Sequence, residues 1–100
     1  MPEIARGNQT DTVSTGHGCD STTTTDTCSA KVFVNGIGVV REGDTNTVHT
    51  VPSGAVCVPH TVALSTFSSK VFVEGLGIGR KGDGYGSEVI TSGSAQAYAG

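Results

Sequence analysis

The sequence predicts an all-β fold of short hairpins in one domain with internal pseudo-three-fold symmetry, and three observations predict it. A sixteen-residue pattern, Ser29 to Asp44, returns as Ser68 to Asp83 at an offset of 39 residues and without a gap. Inside it, Lys31-Val32-Phe33-Val34 and Lys70-Val71-Phe72-Val73 are short β-branched and aromatic runs of the kind that form strands. No segment carries a helical period with caps.

Each repeat reads as a hairpin. Asn35-Gly36 is a favoured two-residue turn because both positions tolerate positive φ, and Glu74-Gly75 is a weaker version of it. Ile37 to Arg41 and Leu76 to Arg80 are the returning strands, and Gly43-Asp44 and Gly82-Asp83 mark sharp exits. Both ends of the chain look like pieces of the same unit. Ile4 to Asn8 resembles Val39 to Asp44 with one residue missing, and Ser94 to Ala99 resembles Ser29 to Val34. The chain, residues 1–100, therefore reads as two full repeats near 29–44 and 68–83 with half repeats at the termini, as if a ring of three had been cut open inside one unit. The polar stretch Asp20 to Asp26 is expected to be a surface loop.

A chain of 100 residues implies one domain. With 35% apolar residues, 5% aromatic residues, no Trp and 15 glycines, it is poorly supplied for an ordinary core, so a metal or a partner is expected to help hold it. The net charge of −3 disfavours nucleic-acid binding, which needs a basic surface to neutralise phosphates. There is no apolar run long enough for a transmembrane helix. Met1 to Arg6 lacks the pattern of a secretory signal, so synthesis in the cytoplasm is expected, with any export by other means.

Three cysteines, Cys19, Cys28 and Cys57, do not fit a fully paired disulfide framework. All six cysteines and histidines lie between residues 17 and 60. Zinc accepts thiolate and imidazole in a closed tetrahedron, so one ion held by His17, His49, Cys57 and His60 is the expected site, with Cys57-x-x-His60 as a two-ligand corner on a turn. Cys19 is an alternative to Cys57, and Cys19 with Cys28 could form a disulfide under oxidising conditions. No catalytic set is evident, and the chain is not expected to be an enzyme. No Glu lies near the histidines in sequence to serve as a base, no Gly-x-Ser-x-Gly elbow is present, and neither Gly75 to Gly79 nor Gly82 to Gly86 opens a helix as a phosphate loop would.

These residues resemble the PAAR-repeat family, whose members cap the trimeric spikes of contractile phage tails and type VI secretion systems. Ser29 to Gly36 is similar to the hairpin that precedes the family motif of Pro-Ala-Ala-Arg followed by Gly-Asp. The motif itself is matched by Glu3 to Arg6, Gly38 to Arg41 and Gly77 to Arg80, which keep the arginine but not Pro-Ala-Ala. The resemblance implies a small cone with a zinc-stabilised tip, the metal (zinc, or iron in its place) held by three His and one Cys. It implies a structural virion component: a baseplate spike tip, one per trimeric β-helical spike protein, that meets the target outer membrane transiently. A toxin-free type VI secretion tip is the close alternative, and a small zinc-binding recognition module is an alternative of another class. Alternation along the strands turns one set of residues to the core and the other outward; the aromatic residues are expected inside, with a partner-binding surface of the smaller apolar residues Ile37, Val39, Leu76 and Ile78.

Overall fold

In the computed structural model, which describes residues 1–100, the chain forms ten short strands and no helix, so no helix is long and apolar enough to cross a membrane. In the first repeat β3 (Phe33–Val34) pairs antiparallel with β4 (Ile37–Gly38), and in the second β7 (Phe72–Val73) pairs with β8 (Leu76–Gly77). Their turns use positive φ at both central residues, 55° and 76° at Asn35-Gly36 and 56° and 78° at Glu74-Gly75, as twisted two-residue hairpins require. Glu74 is costly in that conformation. Its carboxylate compensates by accepting from Ser29 Oγ at 2.6 Å and Arg41 Nη1 at 2.7 Å.

The two ends of the chain build the same arrangement together. Ile4 N donates to Ala97 O at 2.9 Å, as Val39 N does to Val32 O at 3.1 Å and Ile78 N to Val71 O at 3.0 Å. Ser94 N donates to Ile4 O at 2.9 Å, matching Ser29 N to Val39 O at 2.8 Å and Ser68 N to Ile78 O at 2.9 Å. Each serine is buried, and its hydroxyl accepts from a backbone amide two residues on: Lys31, Lys70 or Gln96.

The three segments close on one another. Ala5 N donates to Gly79 O at 3.0 Å, Gly79 N to Val40 O at 2.8 Å, and Val40 N to Ala5 O at 3.1 Å. This is a closed ring of three backbone hydrogen bonds among residues at corresponding places. Immediately outside it, each arginine is clamped to an aspartate: Arg41 to Asp44, Arg80 to Asp83 and Arg6 to Asp11, with Nε to Oδ2 distances of 3.0, 2.8 and 3.1 Å. The counterpart of Asp44 is therefore Asp11 and not Asn8. The first exit loop is longer than its counterparts, not shorter, and Asn8 and Gln9 occupy its left-handed bend with φ of 53° and 63°.

The core lies in two parts. One contains Ile4, Val39, Ile78, Val73 and Ala99, with Val34 packed against them, and is built from corresponding residues of the three segments. The other contains Ala5, Val13, Val40, Leu64, Tyr85 and Ile90. This corrects the expected partner surface. Val39 and Ile78 are buried at 0% and 3% exposure and Ile37 and Leu76 are half-buried, while Phe33, Phe72 and Tyr98 stand 55%, 57% and 48% exposed. In β7 the alternation holds with the opposite sense, Phe72 exposed and Val73 buried. Segments joined this closely by backbone hydrogen bonds leave room for valine, isoleucine and alanine between them, and the rings point away.

Beyond the ring, β1 (Thr12–Ser14), β2 (Thr22–Thr24), β9 (Gly84–Tyr85) and β10 (Glu88–Ile90) form a four-stranded antiparallel sheet in the order β2-β1-β10-β9. The stretch expected as a loop thus contains a strand, because Thr22–Thr24 finds a partner in β1 and β-branched threonine suits a pleated edge. A longer hairpin, β5 (His49–Ser53) with β6 (Val56–His60), turns at Gly54. The body measures 42 × 23 × 21 Å, about twice as long as it is wide.

Candidate metal centre

Three strands and a loop bring His17, His49, His60 and Glu88 together, with one ligand atom of each within 4.8 Å of the others. His49 and His60 are directly paired at the open end of the β5–β6 hairpin, so one cross-strand position supplies two ligands on one face. Glu88 starts β10 two residues from the core residue Ile90, on the same face, and is 1% exposed. His17 sits in the loop between β1 and β2.

The carboxylate is the focus. Its Oε2 lies 2.8 Å from His17 Nε2, 2.9 Å from His49 Nε2 and 3.3 Å from His60 Nε2. Its Oε1 accepts from Asn46 Nδ2 at 2.7 Å. Asn46 is buried in turn, and its Oδ1 accepts from Val62 N at 2.9 Å. Burial works to raise the Glu88 pKa, but hydrogen bonds from His49 and His17, where their Nε2 atoms carry protons, and from Asn46 outweigh it and hold the carboxyl below its ordinary value. The Gly18 carbonyl, and more weakly Glu88, raise the His17 imidazole above its ordinary value.

The hydrogen bonds of the rings decide what the centre can hold. His17 Nδ1 lies 2.9 Å from Gly18 O and His49 Nδ1 lies 2.8 Å from Thr47 O. A carbonyl only accepts, so both Nδ1 atoms carry protons and a neutral ring then turns its Nε2 lone pair towards Glu88. Lone pairs facing a carboxylate repel. Protonating every ring would instead crowd like charges within ring-centroid distances of 5.0 to 5.7 Å. A single divalent cation relieves both problems. Tetrahedral ligands at about 2.0–2.1 Å from zinc sit about 3.3 Å from one another, and Glu88 Oε2 lies 2.8–3.3 Å from the three Nε2 atoms. The Nδ1 contacts and Asn46 are the outer hydrogen bonds that orient ligands in such sites. The residues present fit a metal ion, and its identity is left open by a donor set of three imidazoles and a carboxylate.

Cys57 is not among them, which corrects the expected fourth ligand. It is joined to Cys19 in a disulfide with the Cα atoms 6.0 Å apart, and Cys28 is the free thiol. The Cys19–Cys28 pair considered above is likewise replaced. Residues 57 to 60 form an extended strand and not a turn, so a spacing of three puts Cys57 and His60 on opposite faces. The sequence reading overlooked Glu88 because it lies 28 positions beyond His60. The signal for it was modest: an acidic residue at a core-facing place in the alternation Glu88-Val89-Ile90, just after the turn-forming Gly86.

The sequence matches no known family model, and no curated protein matches it.

Proposed function

We propose that this protein is the tip of a trimeric spike, of the kind PAAR-repeat proteins form in contractile phage tails and type VI secretion systems. The observation that carries the reading is the closed ring Ala5–Gly79–Val40 with its three Arg–Asp clamps. It lets one chain offer three similar surfaces, arranged with pseudo-three-fold symmetry, to a partner that is itself three-fold. The three exposed rings at corresponding places, Phe33, Phe72 and Tyr98, are the contact residues on this reading. Aromatic side chains are frequent anchors of interfaces.

The end of a trimeric β-helix exposes strand edges and apolar core, which a cap covers while narrowing the leading surface. The metal centre then serves as a staple for a body too small to be held by its core alone, and the role is structural rather than catalytic. From Thr45 to Ser69 the chain has no Asp, Glu, Lys or Arg, and this stretch includes the whole β5–β6 hairpin. A leading hairpin without charges avoids the cost of carrying them through an apolar membrane. The setting is a virion tail tip assembled in the host cytoplasm, or the end of a secretion spike.

The test is capture by a trimeric β-helical spike protein produced in the same cells. Tip and spike should co-purify, and Phe72→Asp combined with Tyr98→Asp should abolish capture while the tip stays folded. Capture unchanged by both substitutions would place the contact elsewhere, and no capture at all would count against the spike-tip reading.

A further inference from the structure

Of the four candidate ligands, three are held by regular structure. His49 and His60 face each other across paired strands, and Glu88 stands on β10 with Asn46 gripping its other oxygen. His17 differs. It lies in a loop between Gly16, at φ 74°, and Gly18, and its loop contributes nothing to either apolar core. Glycines on both sides give the free loop many conformations. Asp20 and Cys19 tie it to the β5–β6 hairpin, and Asp20 N donates to Thr50 O at 3.3 Å. Asp20 Oδ2 accepts from Thr50 N and Thr50 Oγ1, both at 2.8 Å, and Cys19 is bonded to Cys57. Cys19, two residues from His17, adopts φ 64°, and both half-cystines are exposed to solvent.

We propose that the Cys19–Cys57 disulfide is a redox lock on the metal centre: closed, it holds His17 in the ligand set, and open, it leaves the loop held only by hydrogen bonds and loosens the metal. The inference rests on reading the His/Glu cluster as a metal centre and is independent of the spike-tip reading. The lock closes by exchange with a low-molecular-weight disulfide such as oxidised glutathione. One cysteine, as thiolate, attacks that disulfide and releases one glutathione thiol. The second thiolate then attacks the mixed disulfide and releases the other. Two protein thiols are oxidised and one glutathione disulfide is reduced to two thiols. The exposure of both residues gives such a reagent access. Linkage is reciprocal, so bound metal must favour closure by the same factor by which closure favours metal. A protein made with its thiols reduced would thus hold its metal more loosely than the same protein after oxidation.

The experiment measures zinc affinity of the whole chain by competition with a chromophoric chelator, in the oxidised form and after reduction with a phosphine. Cys19→Ser/Cys57→Ser and Cys28→Ser are measured alongside. The oxidised protein should bind zinc about 10- to 100-fold more tightly than the reduced one, a usual range for coupling between two sites. The double variant should match the reduced form, and Cys28→Ser the oxidised one. If the double variant does not fold, the reduced natural chain decides. Equal affinity in both redox states overturns the lock and leaves the metal centre standing. Tighter binding on reduction, with a thiolate-to-metal charge-transfer band when cobalt replaces zinc, also overturns it, because a cysteine would then be a ligand. No zinc bound in either state overturns the metal centre and the lock together.

Discussion

The amide of Val40 donates to the carbonyl of Ala5 at 3.1 Å, which ties the first few residues of the chain to the middle of its first full repeat. With Ala5 to Gly79 and Gly79 to Val40 it completes a ring in which no member is a spectator. Removing either end of the chain should therefore damage the whole. Deletion of residues 94–100 takes away Ser94, Ala97 and Ala99, leaving Ile4 N and Ser68 Oγ without their partners Ala97 O and Gly100 O. The shortened chain should lose its cooperative thermal transition, or melt far below the intact protein. An unchanged transition would mean that the terminal segments are dispensable.

The Arg6–Asp11 clamp makes stability depend on acid in a defined direction. Burial acts to raise the Asp11 pKa, but hydrogen bonds from the Arg6 side chain and backbone and from Ser92 prevail and set it below its unfolded value. A lowered folded-state pKa stabilises the protein fully above the ordinary carboxylate range, and the contribution disappears as pH falls through the folded value. Asp11→Asn should cost about 1–3 kcal/mol at neutral pH, as expected for a buried hydrogen-bonding group deprived of its partner. The deficit should shrink in acid. Denaturant melts of both proteins at neutral and acid pH check this. A deficit that grows as pH falls would contradict the assignment.

The hairpins, their turns and the repeat were legible in the sequence because each is local: Asn35-Gly36 requires no distant partner to be a turn. The half repeats at the ends were visible as pattern, but the register of the first was not. Asp11 lies further from Arg6 than Asp44 does from Arg41, and an insertion in an exit loop hides the match. The sense of the strand alternation was also hidden. Period two fixes which residues share a face and leaves open which face meets the core, and here the ring closure decided it in favour of Val34, Val73 and Ala99. The three histidines could be seen as a cluster. Glu88 could not, since it joins them only when β10 pairs with β1. Pro52 and Pro59 masked the β5–β6 hairpin, which as an isolated two-stranded pair has edge positions that tolerate them.

For the metal centre, Glu88→Gln and His49→Ala should each bring metal content of the purified protein close to zero by elemental analysis. Asn46→Ala acts on the metal only through Glu88 and should weaken affinity by about 10–100-fold without abolishing binding. Chelator competition would separate the two classes. Full metal content in Glu88→Gln would show that the carboxylate is not a ligand.

On the spike-tip proposal, the exposed phenyl rings should matter for the partner and not for folding. Phe33→Ala and Phe72→Ala should leave the melting temperature within a few degrees of the parent, as for exposed sites away from the core, and should each weaken spike binding by about 1–2 kcal/mol or more. Val39→Ala, in the core, should do the reverse and destabilise the fold. A titration of tip into labelled spike, with thermal melts of the same variants, distinguishes them.

The central claim is that one chain supplies three surfaces to one trimer, and the mass of the complex tests it most directly. Native mass spectrometry or light scattering of the tip bound to its spike should give three spike chains and a single tip, with the free tip a monomer. Three tips per spike trimer, or a stable trimer of the free protein, would contradict it.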